Sequence, residues 1–242
     1  MNYKIIVAYD GTNYHGWQMQ SERPTIQRML SQVLATLEGA PVVVHGAGRT
    51  DAGVHAEGQV ASFHLTKAWT GTALRQALNG NLPPDIRVLQ AEQMDDEFHA
   101  RFSAQDKTYR YQIWNADAMN PLLRRYAWHY PYGLDLDKLQ QDGAAVLGTH
   151  DFTVFTTVDC ETSTHVRTIT RFQIAQHNSL LQLYFAGQGF LRYQVRTMVA
   201  ALLEINRGRL AMTMPALIRS QQRALIRGTA PAKGLTLVAI EY

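Results

Sequence analysis

Strand-like and helix-like patterns follow one another along this 242-residue chain in the order βαββαβ, and the second half runs through approximately the same order again. Residues 3 to 9 read as a strand. Pro24 opens a helix on which Ile26, Met29, Leu30, Val33, Leu34 and Leu37 keep a 3.6-residue period, and Gly39 and Pro41 stop it. A strand near 41 to 45, a glycine loop, an alternating strand through Val60 and Ser62 to Leu65, a helix from about 71 to 79 and a strand near 86 to 92 complete the first run. The second has a strand at 107 to 114, a helix at 136 to 147, paired strands near 166 to 175 and 180 to 186, helices at 190 to 206 and 214 to 223, and a strand at 235 to 241. Two βαββαβ units are two ferredoxin-like halves. The expected protein is α+β, with residues 1–104 carrying the glycine loop, residues 105–242 forming the second half, and mainly antiparallel sheets merged across one floor around a central cleft. Asn115 to Tyr132, with Pro121 and Pro131, reads as a long loop insertion.

Composition narrows the class without naming a function. A hydrophobic fraction of 46% and a charged fraction of 18% are those of a globular chain with ample core. The formal charge is only +3 although the sequence pI is about 9.0, so a nucleic-acid face requires locally clustered cations. Arg23, Arg28, Arg49, Lys107, Arg110, Arg124, Arg125, Arg192, Arg207 and Arg209 are the candidates. One cysteine, Cys160, excludes an intramolecular disulfide and a Cys-rich zinc site and fits a reducing compartment. With no signal-peptide pattern after Met1 and no apolar run of transmembrane length, a cytoplasmic protein without membrane contact is expected.

The run His45-Gly46-Ala47-Gly48-Arg49-Thr50-Asp51-Ala52-Gly53-Val54-His55 packs small residues around one arginine and one carboxylate. Its glycines allow close backbone approach, so Arg49 and Asp51 belong on a tight exposed loop between strands, where sites tend to be. Arg49 stands two residues from Asp51, which in an extended loop puts both side chains on one side.

The stretch Gly46 to Phe63 resembles the catalytic segment of the TruA-type tRNA pseudouridine synthases nearly residue for residue. Further matches follow in order: Tyr9-Asp10-Gly11, Tyr14-His15-Gly16-Trp17-Gln18, Asn81-Leu82-Pro83, Phe98-His99-Ala100-Arg101-Phe102-Ser103, Lys107-Thr108-Tyr109-Arg110-Tyr111, Phe190-Leu191 with Val195-Arg196, and a closing Gly234-Leu235. The resemblance implies an isomerase that acts on uridines 38, 39 and 40 of the tRNA anticodon stem-loop, as a homodimer and without metal or organic cofactor. Such an enzyme breaks the bond from N1 to C1′, turns the uracil and bonds C5 to C1′.

By that resemblance Asp51 is the catalytic aspartate, attacking covalently or assisting a glycal intermediate. Both routes need an ionised carboxylate, and burial against a base opposes ionisation, so a cation must stand close by; at ~4 Å one such pair is worth about 4 kcal/mol at an effective dielectric of 20. Arg196 matches the family arginine in that role, on a helix expected to begin near Phe190, with Leu191, Val195, Met198, Val199 and Leu202 as its apolar stripe and Arg192 and Arg196 one turn apart beside it. Arg49 matches the arginine that helps extrude the target nucleotide; a simple phosphate contact is its alternative. Tyr109 and Tyr111 share one face of a strand, Tyr111 reading as core and Tyr109 matching the tyrosine that stacks on the uracil and moves a proton. Leu235 joins the substrate-binding set. The chain departs from the family at Gln194, where methionine is frequent, and at Arg192-Tyr193, which bears on packing and RNA contacts rather than on Asp51 or Arg196.

Rival patterns are weaker. His55-Ala56-Glu57 fits the His-x-Glu of zinc nucleobase deaminases but lacks the paired cysteines, and Gly46-Ala47-Gly48 has Asp51 where a dinucleotide fingerprint needs its third glycine. Scattered histidines at 45, 55, 64 and 99 show no helical ligand spacing. A non-catalytic RNA-binding or RNA-folding protein on the same scaffold is the remaining alternative, and it would have no use for Asp51.

Overall fold

The computed structural model describes residues 1–157 and 162–242, so Cys160 lies outside the described residues. By their contacts they form two units, Met1–Gln105 with Thr236–Tyr242, and Asp106–Leu235. The first holds β1 (Asn2–Tyr9), α1 (Ile26–Glu38), β2 (His45–Gly46), β3 (His55–His64), α2 (Gly71–Asn81) and β4 (Ile86–Met94). The second holds β5 (Asp106–Trp114), β6 (Trp128–His129), α3 (Leu136–Ala144), β7 (Gly148–Asp151), β8 (Val166–His177), β9 (Leu180–Gly187), α4 (Gln194–Asn206) and α5 (Met214–Ser220), and β10 (Leu235–Glu241) ends the chain. The protein is α+β, and most of its strand pairs are antiparallel.

In the first unit the strands run β4-β1-β3, with β2 on the far edge of β3, all antiparallel, which is the ferredoxin-like order. The expected strand at 41 to 45 shrinks to His45–Gly46, opposite Ser62 and Ala61. The other end of that edge, at His55 and Ala56, is taken by β10, parallel, through Thr236 and Leu237. The closing strand, read from sequence as part of the second half, therefore groups with the first unit from Thr236 onward.

β1 and β3 are covered on both faces, and alternation decides which residue goes where. Tyr3, Ile5 and Val7 point one way and are fully buried. The Tyr3 hydroxyl accepts the Trp69 amide at 2.8 Å, just ahead of α2, which places the helices on that face. α1 and α2 supply Ile26, Leu30, Leu34, Leu74 and Leu78, each buried and four residues apart along its helix, and each worth ~1.5–3 kcal/mol of removed apolar surface. On the opposite face Ala47, Val60 and Ala100 form a small cluster under Ile6, Phe98, Ile240 and Tyr242. Pro24 does not open α1 from within, because Thr25 is the cap: its hydroxyl accepts the Arg28 amide at 3.3 Å and Pro24 precedes it.

The second unit runs β5-β9-β8-β7, antiparallel throughout, with β6 parallel to β5, so part of the expected 115–132 loop is a strand. Tyr109, Tyr111 and Ile113 pair with Phe185, Leu183 and Leu181 across β5 and β9, all six buried. α3 and α5 stop at Ala144 and Ser220, each short of the span read from periodicity. α4 begins at Gln194 rather than near Phe190, because Tyr193 takes a left-handed conformation, φ 63° and ψ 0°, that ends helical geometry on its N-terminal side. Arg192 consequently lies ahead of the helix, and the expected one-turn spacing of Arg192 and Arg196 along it does not occur.

Ser62 ties the small cluster together, since its buried hydroxyl accepts the Ala100 amide at 3.0 Å. Ser62→Ala leaves that amide without a partner among apolar neighbours and is expected to cost ~1–3 kcal/mol, read as a lower urea midpoint at unchanged m-value. A midpoint equal to the parent's contradicts the anchoring role.

Candidate active site

The run from His45 to His55 leaves β2 and enters β3, and its course is set by polar groups that burial forces into pairs. The Ala47 amide donates to the Val60 carbonyl at 2.8 Å. Gln59, fully buried, donates Nε2 to the Gly48 carbonyl at 2.9 Å while its Oε1 accepts the Val60 amide at 3.1 Å. The Thr50 carbonyl accepts the Trp17 amide at 3.1 Å, and its hydroxyl shares a 2.8 Å hydrogen bond with that of Tyr9. Beyond Asp51 the Gly53 amide donates to the Tyr14 carbonyl at 3.2 Å, and the Val54 amide closes a turn on the Asp51 carbonyl at 3.1 Å. Gly53 supplies the positive φ of 76° that this turn needs. Asp51 stands half-buried at the first position of the turn, held through neighbours on both sides.

The segment 14–18 presses against this loop from outside. Gly16, at φ 83°, lies so close that a Cβ there would sit 2.4 Å from the Thr50 carbonyl oxygen, so no other residue fits without moving Thr50 and Asp51. Arg49 is exposed, and its Nε donates to Gln18 Oε1 at 3.1 Å. Gln18 Nε2 donates in turn to Gln27 Oε1 at 3.0 Å, and Gln27 Nε2, on α1, donates to the Val44 carbonyl at 2.8 Å. A chain of amides thereby tethers Arg49 to the first turn of α1. Sequence reading missed Gln27 and Gln59; Gln18 and Gln59 lay inside the matching motifs, but Gln27 carried no local signal because its partners are remote in sequence.

His55 does structural work at the end of the loop. Its Nδ1 accepts the Gly11 amide at 3.0 Å and lies 3.2 Å from Asp10 Oδ1, whereas Glu57 is exposed. Among the described residues no group of three His, Cys, Asp or Glu side chains is arranged to hold a metal.

Tyr109, Arg196 and Leu235 belong to the second unit. Tyr109 is buried with its ring edge-on to Phe190, centroids 5.2 Å apart. Tyr111 is the core residue expected: fully buried, it donates its hydroxyl to the Pro231 carbonyl at 2.8 Å, and burial pushes its pKa well up while the Arg196 charge lowers it. Arg196 is half-buried; its Nε donates to the Ala230 carbonyl at 2.8 Å and its own carbonyl accepts the Ala230 amide at 3.1 Å, a reciprocal pair that directs the guanidinium. Arg196 and Arg192 both lie over the Tyr193 ring, at 5.3 and 4.9 Å. Gln194, the departure from methionine, has a local use: fully buried, its Oε1 accepts the Leu191 amide at 2.7 Å and closes the turn that precedes α4. Leu235 is buried at the start of β10.

Burial pushes the Tyr9 phenol up to about 12, although bonds to Thr50 and Gln59 favour the ionised form. A raised phenol contributes stability that is complete below its unfolded value near 10 and is lost as pH climbs toward 12, a difference of about 2 to 3 kcal/mol. Tyr9→Phe is therefore expected to flatten the loss of stability between pH 10 and 12 relative to the parent, measured by urea unfolding at each pH. An unchanged slope contradicts a buried, bonded Tyr9 hydroxyl.

A family model described as tRNA pseudouridine synthase matches residues 5–103 and 144–242. The chain is 40% identical over 242 residues to the tRNA pseudouridine synthase A of Acetivibrio thermocellus, covering 100% of this chain and 99% of that protein. It is 42% identical over 246 residues to the tRNA pseudouridine synthase A of Limosilactobacillus fermentum, covering 99% and 95%. A third relative of the same name, from Streptococcus equi subsp. equi, is 43% identical over 244 residues, covering 99% and 98%. Matches that take in the Asp51 loop, the strands beneath it and nearly the full length of both partners leave one assignment: the chain belongs to the tRNA pseudouridine synthase family.

Proposed function

We propose that this protein isomerises uridine to pseudouridine in tRNA, at positions 38, 39 and 40 of the anticodon stem-loop, acting as a cytoplasmic homodimer. Asp51 is the catalytic carboxylate, Arg196 the cation that keeps it ionised, Arg49 the residue that fills the place of the extruded nucleotide, and Tyr109 and Leu235 the residues that hold the uracil. The bond from N1 to C1′ breaks, the base turns, C5 bonds C1′, and the proton released from C5 is balanced by one gained at N1. Tyr109 is the group proposed to move the proton.

The observation that carries this reading is the way Asp51 is held. Ala47, Gly48 and Thr50 before it and Gly53 and Val54 after it are each bonded to backbone or to a buried side chain. A carboxylate on so constrained a loop reaches the same point in every turnover, which is what an attack or an elimination at one sugar carbon requires. A protein that only bound or folded RNA would gain from cations around such a loop and nothing from an acid within it.

Asp51→Asn keeps the size and removes the charge. Purified as a folded dimer by sedimentation, it is expected to bind tRNA as the parent does and to form pseudouridine at least ~10³-fold more slowly, scored by nucleoside analysis of uridine-labelled transcript. Substantial product from this variant sinks the assignment, and a monomer of full activity removes the dimer from it.

The two arginines are expected to fail differently. Arg196→Ala takes a charge partner from the carboxylate, so the acidic limb of the single-turnover rate moves to higher pH. Arg49→Ala leaves that limb in place and lowers the fluorescence change of a 2-aminopurine set beside the target uridine. The reverse pattern would mean that the roles are assigned to the wrong residues.

A further inference from the structure

Among the matching motifs, the stretch Phe98 to Ser103 has no part in the chemistry above, yet the first unit holds it more firmly than a connection requires. The turn closes on itself: the His99 amide donates to Ser103 Oγ at 3.1 Å and the Ser103 amide to the His99 carbonyl at 2.9 Å. Ala100, fully buried beside Ala47 and Val60, donates its amide to Ser62 Oγ, and its carbonyl accepts the Tyr242 hydroxyl at 2.8 Å. What this anchored turn shows to solvent is Phe102, 77% exposed. Its ring leans on His99, centroids 4.5 Å apart at 35°, and His99 leans on His45 at 4.7 Å and 44°. The Arg101 guanidinium stands 5.7 Å from the Phe102 ring.

A phenyl ring so exposed adds nothing to the core, and its anchored backbone means that it is no frayed end. The Arg101 amide donates to His99 Nδ1 at 3.1 Å, which requires an unprotonated nitrogen there; burial, His45 and Arg101 each push the His99 pKa down as well. The middle ring is therefore a neutral aromatic surface at neutral pH. The carboxylates of Asp95, Asp96 and Glu97 come just before in sequence, but the charges acting on His99 are those of His45 and Arg101. Flat rings in series with a guanidinium at the edge suit an unpaired base, which stacks on the rings while its phosphate meets the cation. His45 also leads directly into the Asp51 loop through Gly46 and Ala47, so whatever rests on these rings is bound by the same rigid piece of structure.

We propose that Phe102, His99 and His45, with Arg101 beside them, form a stacking platform for an unpaired nucleotide of the bound tRNA other than the uridine being isomerised. This rests on the reading of the protein as one that acts on tRNA. The test compares the parent with Phe102→Ala, Phe102→Trp and Arg101→Gln, measuring affinity for an unmodified full-length tRNA transcript by filter binding and the single-turnover rate at saturating enzyme. Phe102→Ala is expected to weaken binding by ~5- to 150-fold, the range for loss of one stacked base, with its thermal midpoint and saturated rate close to the parent's. Phe102→Trp is expected to restore binding, and Arg101→Gln to weaken it and reduce its salt dependence.

Equal affinity of Phe102→Ala and the parent overturns the platform, as does a loss that tryptophan does not restore. A change in sedimentation without a change in tRNA affinity overturns it too, by making the ring a contact between copies of the chain. The binding measurement is independent of catalysis: ring-dependent binding by a parent that makes no pseudouridine supports the platform and removes the enzymatic reading. Ring-independent binding by a parent that does make pseudouridine removes the platform alone.

Discussion

Gln59 is a fully buried amide, and the loop that carries Arg49 and Asp51 is folded around it. A buried amide without partners is costly, so the bonds from its Nε2 to Gly48 and from the Val60 amide to its Oε1 act as constraints as well as contacts. With the Ala47 amide on the Val60 carbonyl, they fasten the loop's entry to the middle of β3. β3 is itself among the least free parts of the first unit, bonded to β1 along one edge and to β2 and β10 along the other. The position of Asp51 is in this way inherited from the sheet. A loop held by apolar contacts alone would slide over the same surface, because dispersion has little directional preference.

The same principle operates in the second unit with different groups. Arg196 is directed by backbone, through its reciprocal bonds with Ala230, and by the face of Tyr193. Tyr193 can serve both arginines because it ends the turn in a left-handed conformation, which a residue other than glycine adopts at some cost and keeps only where its surroundings hold it. Gln194 is one of those surroundings, since its carbonyl oxygen takes up the Leu191 amide that the sharp turn strands. The departures from the family pattern at 192 to 194 are thus one local solution: a turn closed by an amide side chain and a ring shared between two guanidinium groups.

Exposure and anchoring together separate functional surface from ordinary surface in this chain. Leu122, 83% exposed in the middle of a single helical turn, is an apolar residue of the scattered kind that needs no explanation. Phe102 differs because its backbone is tied to Ser62 and Tyr242 through Ala100, and its ring continues a series that reaches His45. The small cluster of Ala47, Val60 and Ala100 thereby supports two features at once, the entry to the Asp51 loop and the turn of Phe102.

The sequence accounts for the elements whose evidence is local. The 3.6-residue period of α1, the alternation along β1 and β5, the pairing of β8 with β9 and the placing of Tyr111 in the core all follow from side chains that sort by face within one element. It also made the Asp51 loop visible, because small residues around an Arg and an Asp leave a chemical pattern that needs no fold to be seen. What depends on remote partners emerges only in the folded chain. β2, β6 and β7 are strands only where a neighbour reaches them, and β10 groups with the first unit because its outlet is the free end of β3. Phe190 and Leu191 prolong the apolar stripe and so point to an earlier start for α4, whereas Tyr193, three residues before Arg196, turns the backbone out of helical geometry. Gln27 carries no local signal for the same reason, and Gln59, although inside a matching motif, gives no sign of its partners: a hydrogen bond from an amide side chain to a carbonyl 11 or 17 residues away is specified by distance in space, and sequence records only distance along the chain.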